Sequence, residues 1–592
     1  MRFFCLLLII SACVLTAPSI GLADDFILAE KGAAKAVIFA PGENQWAGKR
    51  LSDRIERWTG AKLEVITAAK VPAGKMLLIA IGSPKSNPVV KDVLGKNGSA
   101  SLGDEGFILK SAKWHKRPVV IAAGNTLAGA NNAVSELLSW KLKLSEGSAY
   151  VASDLNESDK PALQYRILWD WDISVIWEDS FQKQIERQSK LTVAPWTQQA
   201  DSSEVFAANL KRAIDFYSDH KLNGVLIWGF LRDSRGGVEL GRELSLYAKQ
   251  NNVRILPGVC TEAYYGGFIY SDTNTFNVNV WTKLHPELRA KNAKGEFVDA
   301  ICPSRPENQQ WLRDGARWIV KSLPDIGGVN LENGDFMDCR CSDCVAAKAK
   351  LADGAISPYL FDQAVTYKPV LEELAKLAPD YWSTFATYFA FVHRPWYLTE
   401  LPPNGIAQWT ITGMVTPDTW PLDATLPKAA FNRHVGFIHQ GSMYAPPIDT
   451  QRWWAAPNGM TDEVSETIAF VCSRLKHVGM NGFTFEGEIG ALNPTNELNY
   501  IAMEYFTWHP EKSYEQFKKE RLALCYGGIE RADLFLKLLR NTTKSPAELE
   551  NDRLASEKAG QAKELDVRQK ACWKNLYDEL TRRKKLADPS IK

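Results

Sequence analysis

Four acidic segments stand directly after apolar, strand-like runs of this chain. They are Asp170 with Asp172, Glu262, Glu332 with Asp335, and Glu486 with Glu488. Paired carboxyl groups cleave glycosides when one is protonated and donates to the leaving oxygen while the other is ionised and acts as base or nucleophile. We predict that Glu332 is the acid, because it closes a short apolar strand and the charge of Asp335 would raise its pKa. Glu486 or Glu488 is the candidate for the second carboxyl group.

Aromatic and polar side chains accompany these acids and suit a sugar ligand, since an aromatic face stacks on the C–H face of a pyranose. The candidate substrate-binding residues are Asp170, Trp171, Asp172, Trp228, Glu262, Tyr264, Asp335, Trp409 and His439. The chain contains 20 tryptophans in 592 residues, but large cores use tryptophan too. For Trp228 and Trp409, core packing is an equally good interpretation.

The most specific local pattern is C-R-C-S-D-C at residues 339–344. Its cysteines are Cys339, Cys341 and Cys344. Thiolates at this spacing, on a loop that enters a helix, can converge on a structural Zn²⁺ with Cys302 or Asp335 as the fourth ligand. In an oxidising compartment the alternative is a disulfide, either Cys341 to Cys344 or one to Cys302. Free thiols are the third interpretation, and the carboxylate chemistry itself requires no cofactor.

The elements that must position these residues alternate between strands and helices from Pro161 to about Pro510, a pattern typical of a parallel sheet. Eight strands are predicted at residues 164–169, 224–228, 253–259, 327–331, 382–388, 406–411, 435–439 and 482–485. Eight strands close a (β/α)8 TIM barrel, whose active site lies at the carboxyl ends of the strands. Strand eight then lies beside strand one and across the mouth from strand four.

Two further regions flank the predicted barrel domain of residues 160–510. Residues 24–155 are typical of a small α/β sandwich-like domain, with a helix that ends at Gly60 and strands at 76–81 and 118–123. Residues 511–592 form a C-terminal helical region in this interpretation. Ser545 and Glu548 have the spacing of a capping box around Pro546, which predicts a helix from about Ala547 to Lys585. The predicted fold class is therefore α/β.

Residues 1–23 have the pattern of a cleaved secretory signal peptide. Arg2 precedes an apolar run, and the small residues Gly21 and Ala23 occupy the positions that a signal peptidase recognises. The run is shorter than the roughly 20 residues that span a bilayer, and no later segment is long and apolar enough. We predict a secreted or periplasmic protein without a membrane span. Lipid attachment at Cys13, which ends the sequence I-S-A-C, is the second interpretation.

The charge balance excludes one class of partner. Lys plus Arg is 70 and Asp plus Glu is 69, so loss of Arg2 with the leader leaves 69 of each. Binding of nucleic acid through bulk electrostatics needs an excess of basic side chains, and no such partner is expected. The composition carries no signal for an oligomeric state.

Several short segments resemble known glycosidases. Residues 104–109 (D-E-G-F-I-L) and 124–130 (G-N-T-L-A-G-A) resemble the small domain that precedes the barrel in bacterial β-hexosaminidases and α-glucuronidases. Residues 165–172 (Y-R-I-L-W-D-W-D) resemble the first barrel strand of the α-glucuronidases that trim xylan. Residues 285–288 (H-P-E-L), with Gly295 and residues 302–304 (C-P-S), are similar to the third-strand loop of many glycoside-hydrolase barrels.

The chain resembles more closely a group of uncharacterised bacterial barrel domains attached to the same small domain. That group has an acidic or amide turn after the fourth strand, a C-x-C-x-x-C cluster, a Gly-rich acidic turn near the last strand and a Trp-Pro helix start. These correspond to residues 332–335 (E-N-G-D), 339–344, 486–488 (E-G-E) and 508–510 (W-H-P).

The resemblance implies a glycoside hydrolase, α-glucuronidase- or hexosaminidase-like, that acts on poly- or oligosaccharide. The chain departs from α-glucuronidases because strands six and seven end without an acidic residue, where that family places its base pair. A carbohydrate-binding protein on a degenerate, non-catalytic barrel is therefore the alternative.

Overall fold

The computed structural model describes residues 25–190, 202–261, 273–332, 338–350, 358–386, 401–410, 433–437, 463–540 and 544–588. These residues form a mixed α/β fold with two amino-terminal sheets, a closed parallel barrel of eight strands and a carboxyl-terminal group of helices. The predicted fold class is confirmed. The proposed signal peptide lies outside the described residues, and within them no helix is long and apolar enough to cross a membrane.

The amino-terminal region contains ten strands and three α-helices. The strands are β1 (Phe26–Glu30), β2 (Ala33–Ala34), β3 (Ala36–Phe39), β4 (Val65–Ile66), β5 (Leu77–Gly82), β6 (Phe107–Trp114), β7 (Arg117–Gly124), β8 (Lys143–Ser145), β9 (Ser148–Val151) and β10 (Asn156–Asp159). The helices are α1 (Gln45–Thr59), α2 (Pro88–Leu94) and α3 (Leu127–Glu136). One sheet has the order β2-β1-β9-β8 and the other β10-β6-β7-β5-β3-β4. Helix α1 ends as predicted, because Gly60 adopts the left-handed conformation with φ of 77°.

The barrel strands follow one another around the barrel in chain order. They are β11 (Tyr165–Trp171), β12 (Gly224–Trp228), β13 (Arg254–Cys260), β16 (Gly328–Glu332), β17 (Trp382–Ala386), β18 (Gly405–Thr410), β19 (His434–Phe437) and β20 (Gly482–Glu486), with a separate hairpin of β14 (Arg289–Lys291) and β15 (Phe297–Ile301) between the third and fourth of them. The ends of each strand lie within two residues of the predicted ones. The predicted neighbours of strand eight are also confirmed, because β20 pairs with β11.

Helices cover the barrel and form the carboxyl-terminal region. Those of the barrel region are α4 (Phe181–Gln188), α5 (Ser203–Asp219), α6 (Gly237–Gln250), α7 (Val278–Leu284), α8 (Pro306–Ser322), α9 (Ser342–Ala349), α10 (Pro358–Leu377), α11 (Ser465–His477) and α12 (Pro494–Trp508). Those that follow are α13 (Tyr514–Phe517), α14 (Ala523–Tyr526), α15 (Ile529–Arg540), α16 (Pro546–Gly560) and α17 (Val567–Ala587).

The prediction of one long helix near the carboxyl terminus is wrong in its length, because the structure has two helices, α16 and α17, in this region. The predicted capping box of Ser545 and Glu548 is present at the start of α16. A second capping box, formed by Asp566 and Gln569, begins α17. The two helices approach closely at Gly560, where an added Cβ would lie 2.9 Å from the Cβ of Trp573.

The register of the barrel decides which side chains enter its interior, because residues paired in a parallel ladder share a face and alternate residues point to opposite faces. Asn330 Oδ1 accepts hydrogen bonds from Thr384 Oγ1 at 2.9 Å and from Gln408 Nε2, and Thr484 Oγ1 donates to Gln408 Oε1 at 3.1 Å. These four buried residues form an interior polar layer. Residues two positions further along the same strands also point inward, nearer the carboxyl ends.

A buried ion cluster joins the amino-terminal region, the barrel and the carboxyl-terminal helices. Lys221 Nζ contacts Glu136 Oε2 and lies 2.6 Å from Glu504 Oε1, and an Arg521 nitrogen lies 3.2 Å from Glu136 Oε1. Burial alone would raise the pKa of Glu136, but the charges of Arg521 and Lys221 outweigh it and lower the pKa to about 2. The three regions are therefore held together by paired charges.

Candidate active site

Glu332 and Glu486 are the last residues of β16 and β20, the fourth and eighth strands of the barrel. They lie two residues beyond Asn330 and Thr484, so both point into the barrel mouth, and they are only 3% and 5% exposed. Three strands separate β16 from β20 in either direction. With strands about 4.8 Å apart and tilted about 36°, opposite strands lie roughly 15 Å apart across the axis. The two carboxyl groups thus approach a common space from opposite walls.

The backbone at Glu332 is fixed by the neighbouring strand and by α10. Its carbonyl accepts a hydrogen bond from Thr261 N at 2.9 Å. The hydroxyl of Thr261 lies 2.9 Å from that of Thr366 on α10. Since one helix and two strands meet at this point, Glu332 stands on a rigid scaffold.

Glu488 holds the turn that follows β20. Its Oε1 accepts hydrogen bonds from Trp171 N at 3.0 Å and from Ser174 Oγ, and its carbonyl accepts from Ile176 N at 2.7 Å. Burial, and to a smaller extent the negative charge of Glu486, raises the pKa of Glu488 well above its ordinary value. The side chain of Glu488 therefore fixes the first barrel loop, while Glu486 has the inward position.

Asp170 lies on the opposite face of β11 from the barrel interior. The hydroxyl of Tyr217 on α5 lies 3.4 Å from Asp170 Oδ2 and donates to Gly487 O at 2.9 Å. A Cβ on Gly487 would lie 2.9 Å from Asp170 Oδ1, so only glycine permits this approach. This placement corrects the expectation that Asp170 contacts substrate, because its fully buried carboxyl group supports the turn at Gly487 from behind the barrel wall.

Asp172 also has a supporting position. Its Oδ2 lies 2.9 Å from Arg235 Nε and 3.7 Å from Arg232 Nε, and the carboxyl group is buried. A Cβ on Gly229 would lie 2.2 Å from Asp172 Oδ1. The expected substrate contact is therefore replaced by an ion pair that ties the loop after β11 to the loop after β12.

Three tryptophans line the inner wall next to Glu486. The rings of Trp169 and Trp171 meet edge to face at 5.1 Å, and Trp171 lies 6.2 Å from Trp228. Trp228 fits because Gly258 has no side chain, since a Cβ there would lie 2.4 Å from the indole ring. The predicted Trp171 and Trp228 thus lie on the inner face of the barrel, where both are buried.

Trp409 points away from the interior, because Gln408 before it points inward. Its Nε1 donates to His434 Nδ1 at 3.0 Å. The sequence left substrate binding and core packing open for Trp409. In the structure its side chain is buried and packs in the core. The expected substrate contact of Trp409 is corrected accordingly.

The remaining predicted substrate-binding residues lie outside the described part of the chain. They are Glu262, Tyr264, Asp335 and His439. They stay predictions.

The sequence reasoning missed the interior polar layer beneath the two glutamates. A signal existed, since Asn330 and Thr484 are polar residues two positions before Glu332 and Glu486 within otherwise apolar runs. It also missed Tyr217 and Ser174, which act on the carboxyl groups from a helix and a loop. No local spacing connects those residues to the acids.

The predicted cysteines Cys339, Cys341 and Cys344 come together with Cys302. Their four Sγ atoms all lie within 4.8 Å of one another, and all four residues are buried. Of the two fourth ligands that the sequence suggested, Cys302 is therefore in place.

Replacing Asp170 by asparagine is expected to flatten the pH dependence of stability. Burial, opposed by hydrogen bonds from the Gly487 backbone and Tyr217, raises the pKa of Asp170 from 3.8 to about 8. A raised pKa stabilises the folded state at low pH, and this contribution is lost as pH rises from about 4 through about 8. The melting temperature of the wild type should fall across this window more than that of Asp170→Asn. The exposed Asp299→Asn control should follow the wild type; equal slopes for all three proteins would contradict the burial argument.

Solved structures with similar folds include several glycoside hydrolases. A family GH115 4-O-methyl-α-glucuronidase with specificity for decorated arabinogalactans has a TM-score of 0.53 at 13% identity, covering 95% of this chain and 73% of that chain. An inactive variant of a GH20 exo-β-N-acetylglucosaminidase from Vibrio harveyi has a TM-score of 0.51 at 14% identity, covering 84% and 74%. A GH138 enzyme targeting pectin rhamnogalacturonan II has a TM-score of 0.50 at 11% identity, covering 90% and 72%.

These similarities establish a fold shared with glycoside hydrolases, since identities of this size show the fold alone. No family model matches the chain, and no curated protein matches it.

Proposed function

We propose that the protein is a glycoside hydrolase that cleaves poly- or oligosaccharides by carboxylate acid/base catalysis. The observation that carries the proposal is the pair of buried, inward-pointing glutamates, Glu332 and Glu486, at the carboxyl ends of opposite barrel strands. The aromatic wall of Trp171 and Trp228 beside Glu486 supports a sugar ligand. The barrel fold shared with three families of glycoside hydrolases supports the same reaction class.

In this mechanism Glu332 is protonated and donates to the glycosidic oxygen as the bond to the anomeric carbon breaks. Glu486 is ionised and removes a proton from the water that attacks the anomeric carbon from the other side. Burial raises the pKa of Glu488, which disfavours a second negative charge beside Glu486. Glu332 thus gives one proton to the leaving oxygen, and Glu486 takes one proton from water at the opposite wall.

We infer that the reaction inverts the anomeric configuration. Inverting enzymes place their carboxyl groups roughly 6.5–9.5 Å apart, and retaining enzymes about 5–5.5 Å apart. Positions on opposite strands support the wider spacing, which leaves room for a water molecule. Proton NMR of the first product formed should show the anomer opposite to that of the substrate. The same anomer as in the substrate would exclude Glu486 as a base acting through water.

Incubation with a glycan panel tests the proposed activity. The panel should include oligosaccharides capped with uronic acid or with N-acetylhexosamine, since the fold neighbours include an α-glucuronidase and N-acetylglucosaminidases. Wild-type protein should release sugar, whereas Glu486→Gln should not. The matched control is Glu466→Gln, on α11, whose side chain is 62% exposed and lies outside the barrel. Binding of glycan without product across the panel would favour a non-catalytic carbohydrate-binding barrel.

A further inference from the structure

Four cysteine sulfurs lie close together on loops at the carboxyl ends of the third and fourth barrel strands. The Sγ of Cys302 is 3.6 Å from that of Cys341, 3.6 Å from that of Cys344 and 3.7 Å from that of Cys339. All four side chains are buried, in a small cluster with Ala290 and Ala300 of the β14–β15 hairpin. One sulfur is thus nearly equidistant from the other three.

This spacing agrees with a tetrahedral metal centre. Four sulfurs about 2.3 Å from a central Zn²⁺ lie roughly 3.8 Å from one another at tetrahedral angles. Disulfides would join the sulfurs in pairs, which gives no reason for Cys302 to lie equally close to three partners. The arrangement of the sulfurs therefore favours a metal ion over a disulfide.

We propose that Cys302, Cys339, Cys341 and Cys344 bind one structural Zn²⁺ through four thiolates. On binding, the four thiols release four protons and form four Zn–S bonds. All four positions around the metal are filled by protein, so the site is closed and structural. It lies outside the two-glutamate site and takes no part in the proposed hydrolysis.

Groups around the sulfurs are placed to stabilise thiolates. Cys341 is the N-cap residue of α9, and its Sγ accepts a hydrogen bond from Cys344 N at 3.4 Å. The hydroxyl of Ser304 lies 3.0 Å from Cys344 Sγ and can donate to it. The amino-terminal end of a helix and hydrogen bonds to sulfur both favour the charged form.

The metal would connect segments that are far apart in the chain. Cys302 directly follows β15, whereas the other three ligands precede or begin α9. Arg340 N donates to Lys291 O at 2.7 Å, so the two segments also meet through their backbones. Like other closed zinc sites, this one would contribute directly to folding, here of two long barrel loops.

A chain of hydrogen bonds runs from the cluster to the backbone of Glu332. Cys339 N donates to Asp362 Oδ2 at 2.7 Å, and Thr366 Oγ1 donates to Asp362 O at 2.9 Å. Thr366 contacts Thr261, whose N–H donates to Glu332 O. The zinc site would thus brace the end of the fourth strand.

Metal analysis of the full chain, purified without added zinc and without chelator, tests the proposal. We expect about one zinc per chain. Replacement with Co²⁺ should give the strong visible absorption of tetrahedral cobalt and a near-ultraviolet sulfur-to-cobalt band. Cys341→Ser should lose the zinc, and the matched control Cys525→Ser, on α14 outside the cluster, should keep it.

Alkylation of the wild-type protein, mapped by mass spectrometry, gives a second measurement. It needs no variant and so does not depend on whether Cys341→Ser folds. In the wild type, the four cluster cysteines should resist alkylation until a chelator is added, and should then all react without a reductant. Cluster cysteines that react only after reduction would show a disulfide and overturn the proposal. Reaction of all four without a chelator, together with no bound metal, would also overturn it. One equivalent of another metal would overturn the assignment to zinc.

Discussion

Replacing Glu332 by glutamine is expected to lower kcat for a natural glycoside by about 10²- to 10⁴-fold, the usual contribution of a general acid. The amide has nearly the same shape as the carboxyl group but has no acidic proton to give to the leaving oxygen. Glu332 is buried and its backbone is fixed by Thr261. The melting temperature of Glu332→Gln should therefore stay close to that of the wild type.

A substrate with a good leaving group separates the role of Glu332 from that of a structural residue. A nitrophenyl glycoside leaves without protonation, so the loss of turnover in Glu332→Gln should be much smaller on it than on an oligosaccharide. Glu486→Gln should lose turnover equally on both substrates, because the water still needs a base. The exposed Glu466→Gln serves again as the control. Equal losses on both substrates for Glu332→Gln would show that Glu332 is not the acid.

The positions of the barrel strands could be predicted because the signals for them are local. Short apolar runs end in acids at Glu332 and Glu486, and the length of each run decides where a strand stops. The inward direction of both glutamates follows from the alternation of side chains along each strand, which places them on the same face as Asn330 and Thr484. The sequence thus predicted the barrel strands, while the catalytic roles of Glu332 and of Glu486 or Glu488 stay predictions.

The face on which Asp170 lies could not be predicted, because aspartates and tryptophans alternate in residues 169–172 and either set could point inward. The choice depends on the pairing of β11 with β20, where Trp169 is the partner of Glu486. A contact such as that of Glu488 with Trp171, 317 residues apart, has no local signature. Packing against α5 then places Asp170 under Tyr217.

The cysteine cluster shows the same division between local and distant signals. The C-x-C-x-x-C spacing indicated three neighbouring thiols, but it left Cys302 and Asp335 as equal choices for the fourth group. Cys302 reaches the cluster because the β14–β15 hairpin folds back onto the start of α9. Only the tertiary structure brings these two loops together.

Removing the charge of Lys221 is expected to destabilise the protein strongly. Lys221→Met leaves the carboxyl groups of Glu136 and Glu504 buried, with Arg521 and, 3.7 Å from Glu136, Lys141 as the remaining cations. Breaking a buried pair from one side typically costs roughly 3–5 kcal/mol of the free energy of unfolding. Urea unfolding at pH 7, followed by fluorescence, measures this change. The matched control Lys211→Met, whose exposed pair with Glu243 is worth about 1 kcal/mol or less, should change little.

The pH dependence of the same variant tests the cause. The pKa of Glu136 is lowered to about 2 in the folded protein, from an ordinary value of 4.5. Its ionised form therefore stabilises the wild type above about pH 4.5, and this contribution is lost as the pH falls through about 2. Without Lys221 the pKa of Glu136 rises, so Lys221→Met should lose less stability than the wild type on acidification. The double variant Lys221→Met with Glu136→Gln should recover part of the loss at pH 7, because it removes a buried negative charge that Lys221 no longer balances. A double variant less stable than Lys221→Met would show that packing, rather than charge, holds the three regions together.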